Sequence, residues 1–122
     1  MKARTIAAAS LVFALATLPA LADGDPEHGK TVFNLCAACH SPEEGVNKLG
    51  PSLFGVVGRP TGSEPGFHYS AALTNFKKTW TPELLNQWLQ GPQKLVPGTV
   101  MFITVADDKN RADVIAYLQT LK

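Results

Sequence analysis

Cys36-Ala37-Ala38-Cys39-His40 places two thiols three positions apart with an imidazole directly behind the second, and these are the only cysteines in a chain of 122 residues. Three chemistries use such a group: a redox disulfide, half of a zinc site, and the attachment point of a c-type haem. A structural zinc site wants four protein ligands, yet beyond this run only His28, His68 and carboxylates remain, without a second pair at metal spacing. Thioredoxin-like chemistry sets C-x-x-C beside a βαβ pattern, and no convincing alternating run occurs here. Haem attachment accounts for every residue of the motif. Cysteines at i and i+3 share a helix face, so both sulfurs can add to the two vinyl groups on one porphyrin edge. His40 can then be directed at the iron as proximal ligand.

The N-terminus reads as an address. Lys2 and Arg4 form a charged start, Ile6 to Leu18 an apolar run, and Ala20-Leu21-Ala22 the small-x-small pattern of a cleavage site. Residues 1–22 are therefore expected to be a cleaved secretory signal peptide, with periplasmic delivery. The apolar run falls short of the roughly 18 to 20 residues that a span needs and Pro19 interrupts its end, so no stable membrane insertion is expected. Residues 23–122 then form one small domain with 9 basic and 10 acidic side chains, a net charge of −1. That balance argues against nucleic-acid or membrane-surface binding through bulk charge. A domain of this size buries a modest core, which a large apolar cofactor would enlarge.

With Met1 removed, Met101 is the only methionine left as sixth ligand beside His28, His68 and the lysines. His28 lies 12 residues before His40 on the same proposed helix, roughly 18 Å away along its axis, and cannot reach the opposite face. Met101 follows Pro97-Gly98-Thr99 in a loop between two helices, from which a thioether could cross to the far side of the ring.

Three helices are expected to position these groups. Asp25-Pro26-Glu27 opens the first, which runs towards Ala38 and carries the motif on its last turns. Thr81-Pro82-Glu83 opens the second, with Leu84, Leu85, Trp88 and Leu89 as its apolar stripe and Gly91-Pro92 as its stop. The third starts near Asp107 and Asp108, sets Val114, Ile115, Leu118 and Leu121 on one face, and reaches the C-terminus. Residues 41–80 hold so many glycines and prolines that they leave room for at most one short helix, around Ser70 to Asn75. An ordered loop of that length usually wraps something.

With these features the sequence resembles the class I cytochromes c over essentially all of residues 25–122. Gly29, Phe33 and Tyr117 are similar to the family's contact between terminal helices, and Gly50-Pro51 with Leu53-Phe54-Gly55 to its loop whose proline carbonyl accepts a hydrogen bond from the proximal histidine. LVPGTVMF resembles the distal-ligand loop, with Met101 in the ligand position. The resemblance implies an all-α fold of three main helices and long loops around one covalently attached haem c, with Arg59, Tyr69, Ser70, Trp80 and Thr99 around the haem propionates. It departs from the mitochondrial pattern at Trp88, where a distal tyrosine often sits, at Val100, which replaces a lysine, and at Ile103, often a phenylalanine. Lys48 and Lys94 remain as rim charges for docking, whereas Lys77 and Lys78 suit a solvated turn.

The function implied is a monomeric, non-enzymatic one-electron carrier. Its partners would be redox proteins: membrane oxidoreductase complexes, oxidases or dehydrogenases. A thioether trans to imidazole favours ferrous iron, so a positive potential is expected. The alternative is a haem enzyme or sensor whose sixth position opens to peroxide or a small gas, since a methionine bond to iron is labile.

Overall fold

The helix starts follow from their caps. Asp25 Oδ1 accepts from the Glu27 N–H at 2.9 Å, Thr81 Oγ1 from Leu84 at 3.1 Å and Asp107 Oδ1 from Asn110 at 2.9 Å, each satisfying a backbone donor that the first turn leaves unpaired. In this computed structural model, which describes residues 2–3, 7–14 and 24–122, they open α1 (Pro26–Val32), α3 (Pro82–Gln90) and α5 (Asp108–Gln119). Two shorter helices, α2 (Ala71–Thr74) and α4 (Pro92–Leu95), complete the set. The expected cleavage site at Ala20–Ala22 lies outside the described residues. Among the described residues there is no strand, only an isolated antiparallel bridge between Pro60 and Thr79, so the all-α expectation holds.

Three local details refine the sequence reading. The α-helical part of the first segment stops at Val32 and tightens into a 3-10 turn over Phe33–Leu35. Val32, Phe33 and Asn34 are all weak helix formers, so the turn tightens where propensity is lowest. Right-handed turns nevertheless continue through the motif, with the Cys39 N–H donating to Cys36 O at 3.0 Å and the His40 N–H to the same oxygen at 2.9 Å. Gly91 does end α3, but Pro92 opens α4 at once, its ring filling a first-turn position that needs no N–H donor. The short helix expected near Ser70 to Asn75 is α2, capped by Ser70 Oγ on the Leu73 N–H at 3.2 Å.

The crossing of α1 on α5 fixes the frame. A Cβ at Gly29 would lie 1.9 Å from Asp113 O, so only glycine lets the two backbones meet. Beside it the Phe33 and Tyr117 rings pack 5.3 Å apart at 60°. Val114, Ile115 and Leu118 are buried against this contact, as their spacing predicts, while Leu121 is only half-buried. On the other side of the core the rings of Trp80 and Trp88 meet edge-on at 5.2 Å among Leu85, Leu89, Val96 and Val105.

Arg111, on the buried side of α5, donates from Nε to Asn86 Oδ1 at 2.7 Å and from Nη1 to Val105 O at 2.9 Å. With the Val105 N–H bonded to Leu89 O at 2.8 Å, it clamps the end of the Met101 loop onto α3. Hydrogen bonds to charged donors of this kind are the stronger ones.

Asp113 locks the other end. Its buried carboxylate accepts from Lys109 Nζ at 2.7 Å, the Asp25 N–H at 2.8 Å and His28 Nδ1 at 2.7 Å. The Lys109 hydrogen bond, then those from Asp25 and His28, hold this carboxyl well below the usual carboxylate range against the opposing effect of burial. Because folding lowers its pKa, the unfolded chain takes up the proton first. The contribution is therefore complete above about pH 4, the unfolded value, and is lost as pH falls through the depressed folded value. Asp113→Asn should lower the denaturant midpoint of the holoprotein at neutral pH, with the gap to wild type closing below about pH 4. A gap that stays constant across that range contradicts this role for the carboxylate.

Candidate haem site

Cys36, Cys39 and His40 emerge where α1 and its 3-10 extension end, and all three are half-buried. Neither thiol is in a disulfide. Burial, and then the neighbouring Cys39, push the Cys36 thiol up to about 11, so it stays protonated at neutral pH. Lys48, expected at the docking rim, is exposed and donates from Nζ to Ala37 O, closing the end of this turn.

His40 is oriented by the loop opposite. Its Nδ1 lies 2.7 Å from Pro51 O, and because a carbonyl can only accept, Nδ1 carries the proton and Nε2 is left with its lone pair. Burial lowers the His40 pKa; the Pro51 bond opposes this while Arg59 and Lys48 add to it, so the ring is neutral at physiological pH. Gly50 is the cradle. A Cβ there would stand 2.3 Å from His40 Cε1, so the backbone lies directly against the imidazole, and the Gly50 N–H donates to Cys39 O at 2.7 Å.

Ser52 and Asn47 hold the cradle in place, and nothing in their sequence context singles them out. The fully buried Ser52 donates from Oγ to Glu43 O at 2.6 Å, and its N–H reaches Asn47 Oδ1 at 2.9 Å. Asn47 Nδ2 in turn donates to Pro65 O at 3.0 Å, tying the cradle to the next stretch of loop.

On the distal side, the Thr99 N–H bonds to Val96 O at 3.1 Å across Pro97 and Gly98, whose φ of 93° suits the third position of a type II turn. This turn leads to Met101, which is half-buried and packed against the same core cluster that Cys36 and Ala37 border. Of the other ligand candidates, His28 is bound to Asp113 and His68 is exposed.

The remaining sequence-predicted residues fall on the long connection and its junctions. Arg59 Nη1 donates to Phe54 O at 3.2 Å and to Glu64 Oε2 at 2.8 Å, while its buried Nε has no protein acceptor. The Arg59 and Trp80 backbones are joined by a 2.9 Å hydrogen bond, and the Trp80 side chain is buried. Tyr69 accepts the Glu64 N–H at 3.0 Å, and burial pushes its phenol up, so it keeps a proton to donate. Ser70 caps α2 and Thr99 is buried in the distal turn.

This donor set fits haem c. Two free thiols one helical turn apart suit vinyl addition, a neutral imidazole with a free Nε2 suits iron, and an orphaned buried guanidinium N–H suits a propionate. Zinc has less to recommend it: among the described residues no three His, Cys, Asp or Glu side chains gather to hold an ion. The Cytochrome c family profile matches residues 26–122. The chain belongs to the cytochrome c family.

Two relatives match over nearly their whole lengths. Cytochrome c2 of Rhodopila globiformis is 50% identical over 101 residues, covering 81% of this chain and 95% of that protein. Cytochrome c of Euglena viridis is 48% identical over 101 residues, covering 81% and 99%. The solved structure of cytochrome cH from Methylobacterium extorquens, 44% identical, superposes with a TM-score of 0.75 over 80% of this chain and 99% of its own. Members of the family carry one covalently attached haem c, and Cys36 and Cys39 stand in its C-x-x-C-H motif. The chain is a monohaem electron carrier of that family.

Acid-acetone extraction of the holoprotein should leave the haem on the polypeptide, whereas Cys36→Ala with Cys39→Ala should release it. Haem extracted freely from wild type contradicts thioether attachment.

Proposed function

We propose that this cytochrome c is an exported, periplasmic one-electron carrier, in which Cys36 and Cys39 would attach the haem through thioethers and His40 and Met101 would ligate its iron. The observation that carries the reading is the 2.7 Å bond between His40 Nδ1 and Pro51 O, which commits one imidazole nitrogen to the protein and leaves the other for iron. Haem bound here supplies a one-electron iron couple.

The chain's own residues make that couple fast and reversible by holding still. Pro51 and Gly50 fix the imidazole plane and raise its basicity. The Arg111 clamp and the Pro97-Gly98 turn hold the Met101 loop at both ends, so one thioether can serve in both oxidation states with little rearrangement. Arg59, Tyr69, Ser70, Trp80 and Thr99 line the propionate end, where Arg59 Nε and the Tyr69 hydroxyl are the donors to carboxylate. Neither His28 nor His68 offers a distal base of the kind that peroxide chemistry uses, because the first is engaged by Asp113 and the second is exposed.

Export is supported by the small-x-small pattern read in Ala20–Ala22, which leaves intact the contacts of the residues that follow it: Gly24 packs onto α5, where a Cβ would meet Ala112 O at 2.1 Å, and Asp25 caps α1. No helix among the described residues is long and apolar enough to cross a membrane. The partners would be membrane oxidoreductase complexes, oxidases or dehydrogenases. Contact through an apolar patch is supported by Val100 and Phe102, which flank Met101 and are 76% and 75% exposed. With few charges to steer the encounter, such contact would depend weakly on salt.

Met101→Ala should retain covalent haem, bind carbon monoxide in the ferrous state and lower the reduction potential. Retention of the wild-type ligand spectrum in this variant assigns the sixth ligand elsewhere.

A further inference from the structure

Glu64 belongs to no motif, yet it is joined to two residues at the propionate end. Its Oε2 pairs with Arg59 Nη1 at 2.8 Å, the two side chains being only 10% and 12% exposed. Its backbone N–H donates to the Tyr69 hydroxyl at 3.0 Å, which fills one lone pair of that oxygen and leaves the phenolic hydrogen for another acceptor. The Tyr69 ring is fixed in turn by an edge-on contact with Phe67 at 4.8 Å. Meanwhile Arg59 Nε is buried and without a protein partner. A carboxylate so far removed from water costs desolvation that a surface ion pair would avoid. The arrangement leaves one guanidinium N–H and one phenolic O–H unused while anchoring both parent side chains.

We propose that Glu64 is a positioning residue for the haem propionates and that its charge tunes the reduction potential. This rests on the placement of Arg59 and Tyr69 proposed above. Held at Nη1, the guanidinium cannot swing away to solvent, so Nε–H stays available to a carboxylate. The negative charge of Glu64 also offsets the positive charge of Arg59. Adding an electron to the iron is easier in more positive surroundings, so Arg59 raises the potential and Glu64 restrains the rise.

The test is an optical redox titration of holoprotein variants against a small soluble mediator. Glu64→Gln keeps an acceptor for Arg59 and removes the charge, so its equilibrium should shift towards reduced protein by about threefold or more. Arg59→Gln should shift it the other way. If Arg59→Gln lowers the potential while Glu64→Gln leaves it unchanged, Glu64 is only a structural partner and the proposal fails, although the site assignment stands. If neither variant moves the potential, the placement of Arg59 fails and this proposal falls with it. Should Glu64→Gln not fold, Glu64→Asp keeps the charge but shortens the reach. It should keep the wild-type potential while Arg59 Nε–H loses protection from solvent exchange in the ferrous protein. Unchanged protection overturns the positioning role.

Discussion

Where α1 meets α5 at Gly29 the two backbones approach so closely that no side chain fits between them, and the turn that carries Cys36, Cys39 and His40 leaves from that contact. The crossing sets the direction in which the chain leaves α1, and the motif follows within eleven residues, too few for the turn to wander. Asp113, whose own carbonyl lies at the crossing, uses its carboxylate to bind the start of α1 through the Asp25 N–H and His28. A single residue of α5 thus fixes α1 both sterically and electrostatically.

From this fixed end the site is assembled by two loops that could not form it alone. The cradle of residues 47–52 approaches His40 from one side, held by Ser52 and Asn47, while the distal turn brings Met101 from between α4 and α5, held by Arg111. The hydrogen bonds at both loops run largely from side chain to backbone, which is how irregular segments satisfy buried polar groups without a sheet. The residues that could touch a haem therefore come from separate parts of the chain, each anchored by groups that do not themselves reach the iron.

How much of this could be read in advance depended on whether a residue's role is local. The caps at Asp25, Thr81 and Asp107, the short helix near Ser70 and the apolar face of α5 are set by neighbours in sequence, and the structure has all of them. Cys36, Cys39 and His40 were legible because their chemistry demands fixed spacing. The bond from His40 to Pro51 was accessible only through resemblance to a family, since nothing in a Gly-Pro pair says which ring its carbonyl will meet. Arg111, Ser52, Asn47 and Glu64 were missed for the same physical reason: each acts on a partner remote in the chain or on a loop whose path has no periodic signal. The hydrogen bond from Lys48 to Ala37 O was likewise not legible, because it depends on how the loop folds back. The start of α4 was hidden by the Gly91-Pro92 pair, which stops one helix and begins another.

The central claim is that one haem, bound through Cys36 and Cys39 and ligated by His40 and Met101, exchanges a single electron without opening its coordination. An optical redox titration of the wild-type holoprotein, run with and without carbon monoxide, tests it most directly. The account predicts one reversible one-electron transition at positive potential, low-spin spectra at both ends and no change on adding the gas. A high-spin ferrous form, or a ferrous spectrum that shifts with carbon monoxide, would contradict it and point to a haem that binds ligands instead of carrying electrons.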